Sequence, residues 1–226
     1  IVGNHDASGP KEETQWWFKK WVDPLGENTA HSGVDASRRP YSVEGTWDAY
    51  KFEVGNVVFL AMGDRNDGGP PVGRSEKGGF PAGAVSADTF ECWCEQVLAN
   101  QDKIIVSAHH HMLKGTTVAS LDWVGVDEGY HGRFEAGAPI GGSYLYWVGG
   151  EPDTGRFESF LSDHPGAVDV WLGGHTHTNP EDTTGGMSHV EERWGTTFIN
   201  CAAMSKYHGK KNIPMSRILT FTEGTA

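Results

Sequence analysis

The stretch KIIVSAHHHM, residues 103–112, joins a short apolar run directly to a cluster of polar side chains. Residues 103–108 have the length and apolar character of a buried β-strand. Three histidines, His109, His110 and His111, follow at its end. In layered α/β folds, ligands bind in the crevice at the carboxyl ends of such strands. The stretch therefore predicts a central strand that leads into a functional site.

The same arrangement occurs at two further places in the chain. Residues 1–2 are β-branched and run into GNHD at 3–6, and the run AVDVWL at 167–172 leads into His175 and His177. Because the ends of parallel strands meet at one edge of a sheet, we expect the three clusters to converge. Taken singly, each has a structural explanation as a core histidine, a Gly-Asn turn or a solvated loop. Taken together, they predict a metal site, since imidazole, amide and carboxylate groups bind zinc, manganese, iron or nickel.

His175 and His177 are separated by one residue and follow the pair Gly173-Gly174. On an extended segment, residues i and i+2 point the same way, so both imidazoles are expected to reach one metal cluster. The two glycines allow the backbone to bend tightly there.

The rest of the pattern predicts one domain over residues 1–226, with a mixed α/β layered fold. Helices are predicted at 11–22, 86–100 and 155–163, a hairpin at 47–64 turning at Gly55-Asn56, and strands at 196–201 and 217–222. Ser86 is the expected cap of the second helix, and Phe90, Trp93, Val97 and Leu98 its apolar stripe. Loops are predicted at 26–40, 65–83 and 115–150, the last as a lid or cleft wall.

The composition narrows the possible partners. The net charge of −12 argues against a nucleic-acid or anionic-membrane partner, because both need clustered Lys and Arg. No apolar run approaches the roughly 20 residues of a membrane span.

The three cysteines, Cys92, Cys94 and Cys201, match neither a disulfide framework nor a zinc knuckle, so we expect buried thiols. The nine Trp residues also suit a carbohydrate cleft.

Several other side chains are expected to have structural roles. Asp64 follows the predicted hairpin, where an aspartate that caps a turn is the commoner explanation. A surface or hydrogen-bonding role is favoured for the histidines outside the three clusters, although two of them flank the last strands and could approach the cleft. These are His31, His131, His164, His189 and His208, with His189 and His208 the flanking pair.

GNHD, then a histidine in VSAHHHM, then GGHTH resembles the signature of the calcineurin-like metallophosphoesterases, which include purple acid phosphatases and cyclic-nucleotide phosphodiesterases. The hairpin at 47–64 is also similar to the strand pair that follows the Asn-His block in many members. The resemblance implies an αββα layered sandwich with mixed sheets. It implies hydrolysis of phosphate mono- or diesters at two divalent ions, with Mn, Fe or Zn the expected metals.

The resemblance assigns a role to each matching residue. Asn4 would ligate the second metal through its amide oxygen, and His5 would be the catalytic histidine that protonates the leaving oxygen. His109, the first histidine after its strand, and His175 would complete that metal's ligands. His177 would belong to the first metal.

Two blocks of the family signature, Asp-x-His and Gly-Asp, should precede GNHD, and the sequence contains no Asp-x-His anywhere. Two explanations fit: the chain is a fragment whose fold is incomplete at its N-terminal edge, or it has lost its metal centre. The abrupt start favours the fragment, whose exposed sheet edge would then pair with another copy.

Three functions follow as hypotheses. The first is a metallophosphoesterase acting on a phosphate ester, with activity impaired by the missing blocks. The second is a non-catalytic protein on the same scaffold, binding one metal ion or none. The third, a carbohydrate-binding module, leaves the histidine clusters unexplained.

Overall fold

A computed structural model describes the chain over residues 1–3, 18–63, 84–120, 133–135, 138–141, 147–148, 151–152, 155–201 and 216–222. The predictions made for Asn4, His5 and Asp64, and for the loop at 65–83, lie outside these residues. Most of the predicted lid at 115–150 also lies outside them.

A seven-stranded mixed sheet forms the centre of the described structure. Its strands, in spatial order, are β1 (Val43–Gly45), β2 (Ala49–Val54), β3 (Val57–Met62), β5 (Ile104–Ala108), β10 (Val170–Gly173), β12 (Thr196–Asn200) and β11 (Val190–Arg193). A three-stranded sheet contains β4 (Ala84–Val85), β8 (Trp147–Val148) and β9 (Glu151–Pro152), and β6 (Arg133–Glu135) pairs with β7 (Ala138–Gly141). The prediction of a mixed α/β fold is confirmed, whereas the αββα layering stays a prediction.

The four central strands, β3, β5, β10 and β12, run parallel to one another. The outer strands β1, β2 and β11 pair antiparallel with their neighbours. All four central strands therefore end at one edge of the sheet, which we call the carboxyl edge.

The described helices are α1 (Thr29–Ser32), α2 (Ala87–Ala99) and α3 (Arg156–Asp163), with a π-helical segment at Phe18–Val22 and 3-10 turns at Ala36–Arg38 and Thr184–Gly186. The predicted start of α2 is confirmed, because the Ser86 hydroxyl accepts a hydrogen bond from the Thr89 amide at 3.0 Å. No helix in the described ranges is long and apolar enough to cross a membrane.

Helices α2 and α3 pack on one face of the sheet and close the main hydrophobic core. Trp93 of α2 lies against Phe157 of α3 and against Trp171 of β10, and both Trp rings are fully buried. The predicted stripe on α2 is confirmed for three of its four members, but Leu98 is 50% exposed. Leu98 follows Val97 directly, so its side chain lies about 100° around the helix from the buried one.

The predicted loop at 26–40 contains α1 and a 3-10 turn, so that prediction is wrong in part. The buried carboxylate of Asp23 accepts hydrogen bonds from the amides of Glu27 and Asn28 and from the Ser32 hydroxyl. One side chain therefore orders a polar segment that has no apolar periodicity.

The predicted strand at 217–222 is also wrong, because residues 216–222 belong to no strand. Its apolar side chains are largely uncovered, and Ile218 is 91% exposed. The edge strands β1 and β11 were not predicted. A homo-oligomer formed through an exposed sheet edge stays a prediction.

Candidate metal centre

Two of the three predicted clusters meet at the carboxyl edge. Strands β5 and β10 are parallel neighbours, and the histidine-bearing segments 109–111 and 175–177 follow their ends directly. The backbone also joins the two segments, since the Gly174 amide donates to the His110 carbonyl at 2.8 Å. The expected convergence is thus confirmed for these two segments.

His110, His111 and His175 form the candidate metal centre, with one ring nitrogen from each lying within 4.8 Å of the others. His110 Nε2 and His175 Nδ1 are 3.2 Å apart. Two nitrogens that bind one zinc ion at 2.0–2.1 Å in a tetrahedral site stand about 3.3 Å apart. The two nitrogens share a hydrogen bond, and their separation is also that of two ligands of one ion.

The third cluster begins beside this centre. Gly3 touches the His110 ring so closely that a Cβ at residue 3 would lie 2.7 Å from His110 Nδ1. Val2 is buried and contacts Gly63, the residue after β3. The last residue before Asn4 therefore lies against the candidate metal centre.

His109, the histidine predicted to be a ligand, does not belong to the three-residue group. Its ring stacks on Trp171 at a centroid distance of 3.7 Å, and its Nε2 lies 2.8 Å from the Ser107 hydroxyl. The physical reason is strand alternation: Ser107 faces the helices, and His109, two residues later, faces them too. The chain then bends at His110 and His111, and both rings reach the centre, so the geometry favours His110 over His109 as a ligand.

His177 also lies outside the three-residue group, with its ring centroid 6.5 Å from that of His175. The extended backbone assumed for this segment is wrong, since φ is +70° at His175 and +49° at His177. The two rings are therefore not aligned by strand alternation.

Left-handed backbone at a residue with a side chain costs roughly 1–2 kcal/mol. Two such residues within three positions, both histidines, mean that the surrounding structure holds an unfavourable conformation. Strain of this kind concentrates at functional sites, which agrees with a binding role for the segment.

Burial keeps the inner histidines neutral. It lowers the pKa of His111 to about 3 and holds the pKa of His109 well below its ordinary value, with the nearby His111 adding to the effect. A neutral imidazole has a lone pair available for a metal, so His111 is ready to bind an ion at neutral pH.

The metal-free protein should lose stability as the pH falls below 6.5. An unfolded histidine has a pKa near 6.5, so between that pH and the lowered folded pKa the unfolded chain binds protons that the folded chain excludes. Above pH 6.5 the unfolded chain no longer binds these protons, so the folded state keeps its full stability. From pH 7 to pH 5, His111 should remove about 2 kcal/mol from the free energy of unfolding, and His109 should lower it further.

Urea unfolding at the two pH values measures this loss. Equal stability at pH 7 and pH 5 would show that neither inner histidine is held neutral by the fold.

Comparison with known proteins gives no match among protein-family models, curated proteins or solved structures. The function of the chain must therefore be inferred from the chemistry of the carboxyl edge.

Proposed function

We propose that the chain is a metal-dependent phosphoesterase whose metal site is built on His110, His111 and His175. The observation that carries this proposal is the convergence of the three imidazoles at the carboxyl edge. The histidine-rich blocks come from separate parts of the sequence, and a chance surface cluster has no need of a fully buried member such as His111.

The order of the blocks along the chain supports the phosphoesterase assignment over other metal-binding functions. GNHD, the histidine run and GGHTH occur in the order typical of calcineurin-like metallophosphoesterases. The contact between Gly3 and His110 supports the same assignment, because it starts the first block beside the other two.

The donor set fits a borderline divalent ion. Three imidazoles favour zinc or iron over manganese, which prefers oxygen ligands. His110 and His175 are half-buried, so the centre is reached from solvent on their side, whereas His111 is closed off. Asn4 would add an amide oxygen to this set, and His177 would serve a second ion.

A divalent ion held there would supply a Lewis acid for a phosphoryl oxygen and would offset its negative charge. His5 would hold a proton for the leaving oxygen of the ester, as the resemblance implies. The imidazole pair of His110 and His175 would orient the bound ion, and the backbone bond between Gly174 and His110 would keep the two segments in register.

The assay is hydrolysis of p-nitrophenyl phosphate and bis(p-nitrophenyl) phosphate after metal removal and after addition of Zn²⁺, Fe²⁺ or Mn²⁺. We expect turnover that depends on added metal, and His5→Ala should lower kcat by about 100-fold or more, the usual contribution of a general acid. His31→Ala is the matched control and should leave kcat unchanged.

A non-catalytic metal-binding protein is the second candidate, because the sequence contains no Asp-x-His and the donors of the three-residue group are all imidazole. Stoichiometric metal binding without turnover of either ester would favour this candidate and contradict the phosphoesterase. Metal-dependent turnover that His5→Ala abolishes would exclude it.

A further inference from the structure

The segment that carries His175 and His177 alternates in burial. Thr176 and Thr178 are 2% and 4% exposed, whereas the two histidines between and beside them are half-buried. Each histidine of the segment is therefore followed by a threonine that enters the protein. The two threonine side chains place their hydroxyls in the interior. The residues that hydrogen-bond to these hydroxyls therefore influence the backbone geometry of the neighbouring histidines.

Thr176 is held by Asn200, the last residue of β12. The fully buried Asn200 amide donates from Nδ2 to the Thr176 hydroxyl at 3.1 Å. The Asn200 backbone is fixed in turn, since its amide donates to the His189 carbonyl and its carbonyl accepts from Arg217 Nε. Asn200 also faces Gly173 in the parallel ladder, directly before the histidine segment.

Thr178 is held by His189, which precedes β11. The Thr178 hydroxyl and His189 Nε2 are 2.9 Å apart in a buried hydrogen bond, and His189 is 5% exposed. The backbone N–H of Asn200 donates to the backbone carbonyl of His189, so the two anchoring residues are also joined to each other. They form one buried unit behind the histidine segment.

These anchors meet the segment where its backbone is least favourable. The left-handed residues His175 and His177 alternate with the anchored Thr176 and Thr178. A left-handed residue reverts to ordinary backbone unless its neighbours are fixed. Each hydroxyl contact fixes the residue that follows a strained histidine.

We propose that Asn200 and His189 are positioning residues that hold the left-handed backbone of the segment and thereby aim the imidazoles of His175 and His177. The inference rests on one part of the proposed function, namely that the carboxyl edge binds a metal ion. Each positioning residue acts through a threonine hydroxyl.

The test uses pairs of threonine variants that differ in one hydroxyl. Thr176→Val and Thr178→Val keep the side-chain shape and remove the hydroxyl, whereas Thr176→Ser and Thr178→Ser retain it. Two quantities are measured: Zn²⁺ affinity, and amide hydrogen exchange at 174–178 in the metal-free protein. We expect the Val variants to bind Zn²⁺ roughly 10–100-fold more weakly, as for other partners that support metal ligands, and to exchange faster at 174–178. The Ser variants should resemble the wild type.

Thr196→Val is the control, since Thr196 is fully buried on β12 and its hydroxyl has no hydrogen-bond partner among the described residues. It should change neither quantity. His189→Leu should match Thr178→Val, and the double variant should be no weaker than either single one, because both remove the same contact.

Val variants with wild-type affinity and wild-type exchange would overturn the inference. If the wild-type protein binds no Zn²⁺, the proposed function fails, and the exchange rates alone decide the inference: faster exchange in the Val variants supports it, and unchanged exchange overturns it. Near-UV circular dichroism checks the fold, and if one Val variant fails to fold, the other carries the same test.

Discussion

Replacing His110 or His175 by alanine should weaken Zn²⁺ binding by more than about 100-fold, beyond the 10–100-fold typical of residues that only support a ligand. His110 Nε2 and His175 Nδ1 are 3.2 Å apart, so a single ion can bind both. Losing either residue leaves the site with only one of its two half-buried imidazoles, which we call the outer imidazoles. Competition with a chelator of known zinc affinity measures the change. Because both residues are half-buried, the alanine variants should keep most of the wild-type stability.

The informative control is His109→Phe. The phenyl ring keeps an aromatic face on Trp171, and both ring nitrogens are lost. If His110 is the ligand, His109→Phe should leave Zn²⁺ affinity within about threefold, since the outer imidazoles are intact. Weak binding in His109→Phe together with full binding in His110→Ala would instead restore His109 as the ligand.

The choice between these neighbours shows where sequence reasoning ends. The sequence predicted a strand at 103–108, observed as Ile104–Ala108, and the histidines after it, because a bounded apolar run is a strong pattern. It did not identify which histidine faces which side. That depends on which face of β5 the helices cover, and Trp93 reveals it by donating to Ser107 from the helix side. Once that contact is known, alternation assigns His109 to the core.

The backbone of residues 175–177 was equally hidden. The pair Gly173-Gly174 predicted a bend at the glycines. The left-handed conformations are instead found at His175 and His177, which follow them. The residues that hold this strained backbone, Asn200 and His189, are distant in sequence from the segment. No local sequence pattern could therefore predict the left-handed conformations. His189 was expected to have a structural role, and its contact with Thr178 shows what that role supports.

The strand that was missed lacks a local signal, whereas the segment that was wrongly predicted carries a misleading one. β11 is short and largely exposed, so its side chains show no alternation in burial. The apolar residues of 217–222 suggested a strand, but no strand in the described ranges pairs with them, and Phe221 contacts Phe59 edge to face. In contrast, α2 and the hairpin of β2 and β3 carry caps, turns and periodicity, and their positions were predicted correctly.

Trp171→Ala should lower the free energy of unfolding by about 3–5 kcal/mol, the usual cost of removing a buried large aromatic side chain. Trp171 is fully buried, and its ring contacts His109, Trp93 and Phe198. No part of the lost volume lies at the surface, so the cavity cannot be filled by solvent-side rearrangement. For a chain of this length the change corresponds to a fall in Tm of roughly 10 °C.

The exposed Trp21 offers a matched control. Trp21→Ala removes the same side chain from a position that is 51% exposed, and because the rest of the ring is covered it should cost about 1 kcal/mol. Trp171→Phe should fall between the two, because it keeps an aromatic face on His109 but loses the indole N–H that donates to the His111 carbonyl at 3.3 Å. Thermal unfolding of the three variants beside the wild type ranks them. A Trp171→Ala protein as stable as Trp21→Ala would mean that the stack beneath the candidate metal centre does not hold this part of the core together.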